Sequence, residues 1–274
     1  LPDVFRVFNE VDGELRDAGN QVFGTYHLDL DGKVTLLFNN RISGSTTDIS
    51  GFVSFNTEIV RENLGEDLEQ IIEIEVRDNV TKEIVLSFEP NVASSIDKRG
   101  TPDRAYNTEN ITWEVDFNKD LQTISDPALK DLIQTNQSLI PGSVELYELI
   151  VKLDGSVEQG ALVDSGLYVI EAINGNEDGD DFRLRFTAGD GETPSISSAY
   201  RLVFTTSIDD EDGTSYGNSS TLAGSNIDDL TASATVAVGR GQTLDKRSTG
   251  YNSANQVISW EIKANYNEKT LSAA

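Results

Sequence analysis

The chain has 274 residues, with 47 acidic and 21 basic side chains, a formal net charge of −26 at pH 7, no Cys or Met, and a single His, His27. The lack of Cys excludes disulfides, thiolate nucleophiles and Cys-ligated metals, and one His excludes a multi-histidine site and leaves a Ser-His-Asp triad dependent on His27 alone. The charge disfavours nucleic acid as a partner, and no stretch approaches the ~20 apolar residues of a membrane span, so neither nucleic-acid binding nor membrane insertion is expected. The length suggests about two domains of ordinary size. With no initiator Met or signal peptide at one end and L-S-A-A at the other, the expectation is a fragment of a larger mature protein.

In chain order the periodicity is that of strands. Short runs rich in Val, Ile, Phe and Thr occur at 33–38, 52–60, 70–76, 82–88, 111–117, 143–152, 182–187, 200–207 and 231–238. Asp31-Gly32, Asp154-Gly155, Asn174-Gly175 and Asp212-Gly213 punctuate them as turns. Brief helices are expected only around 61–69 and 126–134. The pattern predicts an all-β protein of tandem immunoglobulin-like β-sandwich domains.

An internal repeat sets the domain boundaries. DKRGTPDRAYNTENITWEVDFN (97–118) is echoed by DKRSTGYNSANQVISWEIKAN (245–265), with Lys98 matching Lys246 and Trp113 matching Trp260. Residues 93–240 then form a complete module, 241–274 the opening strands of a further, truncated repeat, and 1–92 a different preceding domain. Equivalent strand positions place both Trp113 and Trp260 in a sandwich core rather than on a sugar-stacking face.

Three polar residues fall where apolar ones are expected. Period-two alternation puts Lys98 on the face of Val92, Ser94 and Ile96, Asp131 on that of Leu129 and Ile133, and Asn218 on that of Tyr216, Ser220 and Leu222. Isolated buried charges are costly, so these groups are expected to meet. One chemistry uses all three. Apolar burial makes the Lys98 amine neutral and nucleophilic, and keeps Asp131 protonated to polarise the Asn218 carboxamide; ammonia leaves and an amide joins the strands. The alternative is that Lys98 snorkels to solvent, Asp131 is a surface acid and Asn218 a turn residue.

Further residues carry a family likeness. Lys98 with ITWEVDFN (111–118), ALKDLI (128–133), LIPGSVELY (139–147), YRLVFTT (200–206), YGNSSTL (216–222) and SATVAV (233–238) resembles the Gram-positive cell-wall-anchored surface adhesins of the collagen-binding type. The resemblance spans 93–240. It implies variant immunoglobulin sandwiches, an intramolecular isopeptide crosslink between Lys98 and Asn218 assisted by Asp131, and Lys246 as the crosslink lysine of the next repeat. It also implies an extracellular, cell-wall or cell-surface location and collagen or another extracellular matrix protein as partner. GTYHLDLDGKVTLLFN (24–39) and DISGFVSFNTEI (48–59) resemble the later part of the N-terminal sandwich that precedes such modules. Strand addition by neighbouring domains or chains is a further implied contact, with 89–100 the segment to inspect. Crosslinks of this kind would supply the covalent stapling that the missing Cys cannot, and would shorten the path of force through the module.

Other signals are weaker. NGNEDGDD (174–181) begins like a calcium loop but carries Arg185 where the closing Glu belongs, and DDEDG (209–213) lacks the alternation, so no metal and no cofactor are expected. His27 reads as a surface histidine. No Asp or Glu pair is singled out by a motif, and the self-modification is a single turnover, so the protein is not expected to be an enzyme. A stalk or fibre subunit that only self-associates and a carbohydrate-binding module are the competing function classes.

Overall fold

The computed structural model describes every residue except 44–51, 78–79, 174–180, 190–191, 266 and 268–274, and of Ser43 and Arg77 the backbone alone. The chain divides into two compact units, Leu1–Phe88 and Glu89–Ala274.

The first unit holds β1 (Phe5–Arg6), β2 (Val11–Arg16), β3 (Val22–Leu28), β4 (Val34–Phe38), β5 (Glu58–Ile59), β6 (Glu69–Arg77) and β7 (Val80–Ser87), with one helical turn at Asn40–Ser43. They pair as β1–β5, β2–β3–β4 and β6–β7. Gly32, at φ +79°, closes the β3–β4 hairpin as the Asp-Gly signal requires. Two expectations change here. Of the run 52–60 only Glu58–Ile59 is strand, and the helix expected over 61–69 is a single 3-10 turn, Arg61–Asn63, before β6 begins at Glu69.

In the second unit come β8 (Asp97–Pro102), β9 (Asn110–Phe117), β10 (Ile124–Ser125), β11 (Ala128–Ile133), β12 (Gln137–Leu139), β13 (Glu145–Val151), β14 (Val157–Leu162), β15 (Tyr168–Ala172) and β16 (Phe182–Phe186). Then follow β17 (Ser195–Ile196), β18 (Ala199–Ile208), β19 (Ser215–Gly224), β20 (Ile227–Ala237), β21 (Leu244–Asn252) and β22 (Val257–Ala264). One sheet runs β14–β13–β18–β9–β8 with β12 also on β18; the other runs β15–β16–β11–β19–β20, and all pairings are antiparallel. Their inner faces share one core, in which Ile111, Trp113, Val115 and Phe117 of β9 meet Leu129, Leu184 and Leu222 from the other sheet, all fully buried. Alternation makes this possible, since each strand turns every second side chain inward. This is the immunoglobulin-like sandwich the strand pattern predicts.

The helix expected over 126–134 is instead β11. Leu129, Leu132 and Ile133 have helical spacing, but β11 hydrogen-bonds to β16 on one side and β19 on the other, and tertiary pairing overrides the local pattern. Residues 92–96 precede β8 rather than belonging to it. Val92 packs instead with Leu149, Val151 and Ala199 on the outer side of the first sheet, where Asn91 N–H donates to the Leu153 carbonyl at 3.1 Å. Among the described residues no helix is long and apolar enough to cross a membrane.

Candidate functional site: a buried lysine–carboxylate pair between two sheets

Lys98 lies on β8, an edge strand of the first sheet, paired with Val115 of β9. Its inward direction depends on a neighbour. Gly100, two residues on and on the same face, sits against Trp113, and a Cβ there would lie 2.5 Å from Trp113 Cζ3 and from Val236 Cγ2. Glycine therefore lets β8 lie flat on the indole, and the Lys98 stem follows the same surface inward. The Lys98 side chain has 0% exposure, with Nζ 5.7 Å from the Trp113 ring centroid and 4.9 Å from that of Phe204, within cation–π range.

The partner comes from the opposite sheet. Lys98 Nζ donates to Asp131 Oδ2 at 2.7 Å, and the Asp131 side chain also has 0% exposure. Asp131 faces Ser220 across the β11–β19 ladder, and Asn218 is the next inward residue along β19, opposite Ile133. The fold thus brings Lys98 and Asp131 into contact and buries Asn218, at 1% exposure, on the same inner face. Sequence reasoning missed the role of Ser220, whose hydroxyl accepts from Lys98 Nζ at 2.7 Å and donates to Asp131 Oδ2 at 2.5 Å. Its parity with Asn218 was the available signal.

Burial acts on both ionisable groups. It pushes the Lys98 ammonium below the usual lysine range against the pull of Asp131, and pushes the Asp131 carboxyl above the usual carboxylate range against Lys98, Ser220 and Asn218. Both shifts favour the neutral pair, an amine beside a carboxylic acid. Asn218 is near enough to Asp131 to favour its charged form, yet among the described residues neither amide atom of Asn218, nor Asp131 Oδ1, has a partner of hydrogen-bonding geometry. Buried polar atoms without a partner cost about 1–3 kcal/mol each, and three of them lie on this inner face. The arrangement can transfer a proton from Nζ to the carboxylate and present a neutral amine to a carboxamide.

The pocket is otherwise satisfied. Trp113 Nε1 donates to Thr206 Oγ1 at 3.0 Å, Thr206 to Gln137 Oε1 at 3.0 Å, and Gln137 Nε2 to the Gly217 carbonyl at 2.9 Å, a buried chain joining the two sheets. Outside the first sheet Arg201 grips Asp116 with two bonds of 2.6 and 2.8 Å, and Arg99 adds contacts to Asp116 and Glu114.

Lys246 lies in a parallel setting. Across β21–β22, Lys246 faces Ile262, Arg247 faces Glu261 and Ser248 faces Trp260; across β8–β9, Lys98 faces Val115, Arg99 faces Glu114 and Gly100 faces Trp113. The ion pair recurs, with Arg247–Glu261 at 2.9 Å and Arg99–Glu114 at 2.5 Å. Lys246 Nζ lies 4.7 Å from the Trp260 ring centroid. One expectation is corrected here: Trp113 is fully buried, but Trp260 is 55% exposed. Its hairpin forms a two-stranded sheet, and among the described residues no second sheet covers that face. The argument against a sugar platform therefore holds for Trp113 alone.

Of the other candidates, His27 Nδ1 lies 2.9 Å from Asp12 Oδ1, which raises its pKa, at a partly exposed position on β3. The loop 174–181 falls outside the described residues except for Asp181, which accepts the Ile133 N–H at 3.0 Å. In 209–213, Asp210 accepts from Gly213 N–H at 3.1 Å and from the Tyr216 hydroxyl, whose pKa burial and Asp210 push up to about 12. Among the described residues no three His, Cys, Asp or Glu side chains are grouped to hold a metal.

The two-sheet sandwich with Lys98 and Asp131 sealed between its layers is the part of the chain that a family model matches. The family model for the collagen binding domain matches residues 93–233, just over half of the chain, and the chain belongs to that family. No curated protein matches it. Among solved structures it is similar to the collagen binding subdomain of the Enterococcus faecalis surface protein ACE, at 16% identity and a TM-score of 0.39, covering 54% of this chain and 99% of that one. It is also similar to the collagen adhesin of S. aureus, at 13% identity and a TM-score of 0.38, covering 93% of this chain and 79% of that one.

Proposed function

We propose that the chain is an adhesin segment displayed at a bacterial surface, holding collagen or another matrix protein, with its central module stapled by an amide between Lys98 and Asn218. The family match over 93–233 carries the collagen reading. Solid-phase binding to collagen at physiological salt tests it; saturable binding supports the reading, and no binding above an albumin control overturns it.

The sealed Lys98–Asp131 contact supports the staple. Asp131 takes a proton from the Lys98 ammonium, the neutral Nζ attacks Asn218 Cγ, the C–Nδ2 bond breaks, and ammonia departs. Intact mass under denaturing conditions reads the result. The expected outcome is a wild-type mass short by one ammonia, with Lys98→Ala and Asn218→Ala at their full calculated masses.

The domain reading is that 1–92 is the later part of an N-terminal sandwich, 93–240 a complete module, and 241–274 the start of another, with Lys246 its crosslink lysine. The shared register and ion pair of the two hairpins support it. A stalk or fibre subunit is the second reading, favoured by the exposed apolar face of Tyr251, Ile258, Trp260 and Ile262 on β21–β22. Sedimentation of the purified chain over a concentration series separates the two, since a fibre subunit assembles and an isolated adhesin segment stays monomeric.

A further inference from the structure

Among the described residues, Ser220 is the one side chain that touches both ionisable groups of the buried pair through hydrogen bonds, at 2.7 Å from Lys98 Nζ and 2.5 Å from Asp131 Oδ2. Packing alone gives no reason for a hydroxyl there. The position is fully buried on the inner face of β19, two residues from Leu222, where an alanine would complete the alternation without adding a polar atom to the core. Its two bonds run in opposite senses, accepting from nitrogen and donating to carboxylate.

We propose that Ser220 is a positioning residue for amide formation: it holds one N–H of the Lys98 amine while Asp131 takes the proton, so that the freed lone pair faces Asn218. The inference rests on the staple proposed above. Lys98 Nζ begins with three protons and gives one to Asp131, which becomes the neutral acid. Of the two left, one stays on Nζ, hydrogen-bonded to Ser220 Oγ. Attack then forms the Nζ–Cγ bond, the second amine proton leaves with Asn218 Nδ2 as ammonia, and Asp131 returns its proton to solvent or to the departing ammonia. Without Ser220 the amine keeps a single acceptor and rotates about its last bond, so fewer encounters put the lone pair on Asn218.

Ser220 also leaves a mark that packing cannot. Its O–H favours the charged carboxylate of Asp131. Among the described residues, the groups facing Asp131 are Lys98 from β8 and Ser220 and Asn218 from β19, with Phe182 opposite on β16; of these only Lys98 is ionisable. Proton transfer needs the carboxylate, so loss of Ser220 moves the acid limb of the rate to higher pH.

The test is cell-free synthesis of the full chain, quenched at intervals in acid denaturant and weighed intact, for wild type and Ser220→Ala between about pH 5 and 8. Rates are taken on the protease-resistant, folded fraction. The expected result is amide formation slowed about tenfold, the loss of one hydrogen bond to a charged group, with the acid limb displaced upward. Ser220→Ala closing at the wild-type rate, closing slowly with the wild-type pH profile, or yielding no folded fraction would each overturn the role. A wild-type chain of full mass would overturn the staple as well, which separates failure of this inference from failure of the reading beneath it.

Discussion

At the scale of single residues, the Lys98–Asp131 pair is a source of instability in the chain without the proposed amide. Both side chains have 0% exposure, and taking two charges out of water costs more than their attraction returns unless every remaining group is satisfied. The pair is best judged where no amide can form, in Asn218→Ala. Adding Asp131→Ala to that variant strands a buried ammonium and is expected to cost about 3–5 kcal/mol in urea unfolding, whereas Lys98→Met with Asp131→Leu is expected to be neutral or stabilising by about 1–4 kcal/mol. The pH dependence follows from the two shifts. An acid whose folded pKa is raised contributes stability below its unfolded value, near 3.9, that is lost as pH rises through the folded pKa. A lysine whose folded pKa is lowered contributes stability above about 10.4 that is lost as pH falls through its folded pKa. The stability gap between Asn218→Ala and the same variant with the apolar pair is therefore expected to be widest at intermediate pH and to narrow at both extremes. A gap that stays constant across pH would contradict the directions assigned to both groups.

Among elements, β8 is positioned by what it lacks. Gly100 gives the strand its close approach to Trp113, and Gly100→Ala is expected to cost about 1–3 kcal/mol by overpacking and to slow the proposed amide formation by moving Lys98 outward. A chemical-denaturation curve with time-resolved mass checks both effects, and an Ala variant with wild-type values on each would show that the approach has slack. The same strand shows what was legible beforehand. Parity alone placed Lys98, Asp131 and Asn218 inward, because a strand offers a side chain only two directions. It could not pair β11 with β19, since register is a property of two segments, so Ser220 was placed inward by parity but its role emerged only when Asp131 was set opposite it. Local pattern also misjudged 126–134, where helical spacing of three apolar residues lost to two flanking ladders, and 52–60, where apolar composition outran any partner strand. Trp260 was misplaced for a related reason. Its sequence equivalence to Trp113 is reproduced in the register of its own hairpin, but burial needs a second layer that a two-stranded sheet does not contain.

For the molecule as a whole, a net charge of −26 coexists with an apolar hairpin face that includes Trp260 and Ile262. Trp260→Ser with Ile262→Thr is expected to reduce binding of a hydrophobic dye while shifting the melting of the 93–240 module by less than about 0.5 kcal/mol, the range for surface changes. A larger shift, read by scanning calorimetry, would mean that the hairpin contributes to the module's own stability. The position of β8 adds a last consequence. It is an edge strand of the first sheet, and edge strands are where sandwiches exchange segments between copies or add strands into aggregates. The proposed amide joins Lys98 on that edge to Asn218 on an interior strand of the opposite sheet. Once joined there, β8 cannot peel away, and a copy that has closed its amide is barred from trading that strand with any neighbour, however crowded the surface.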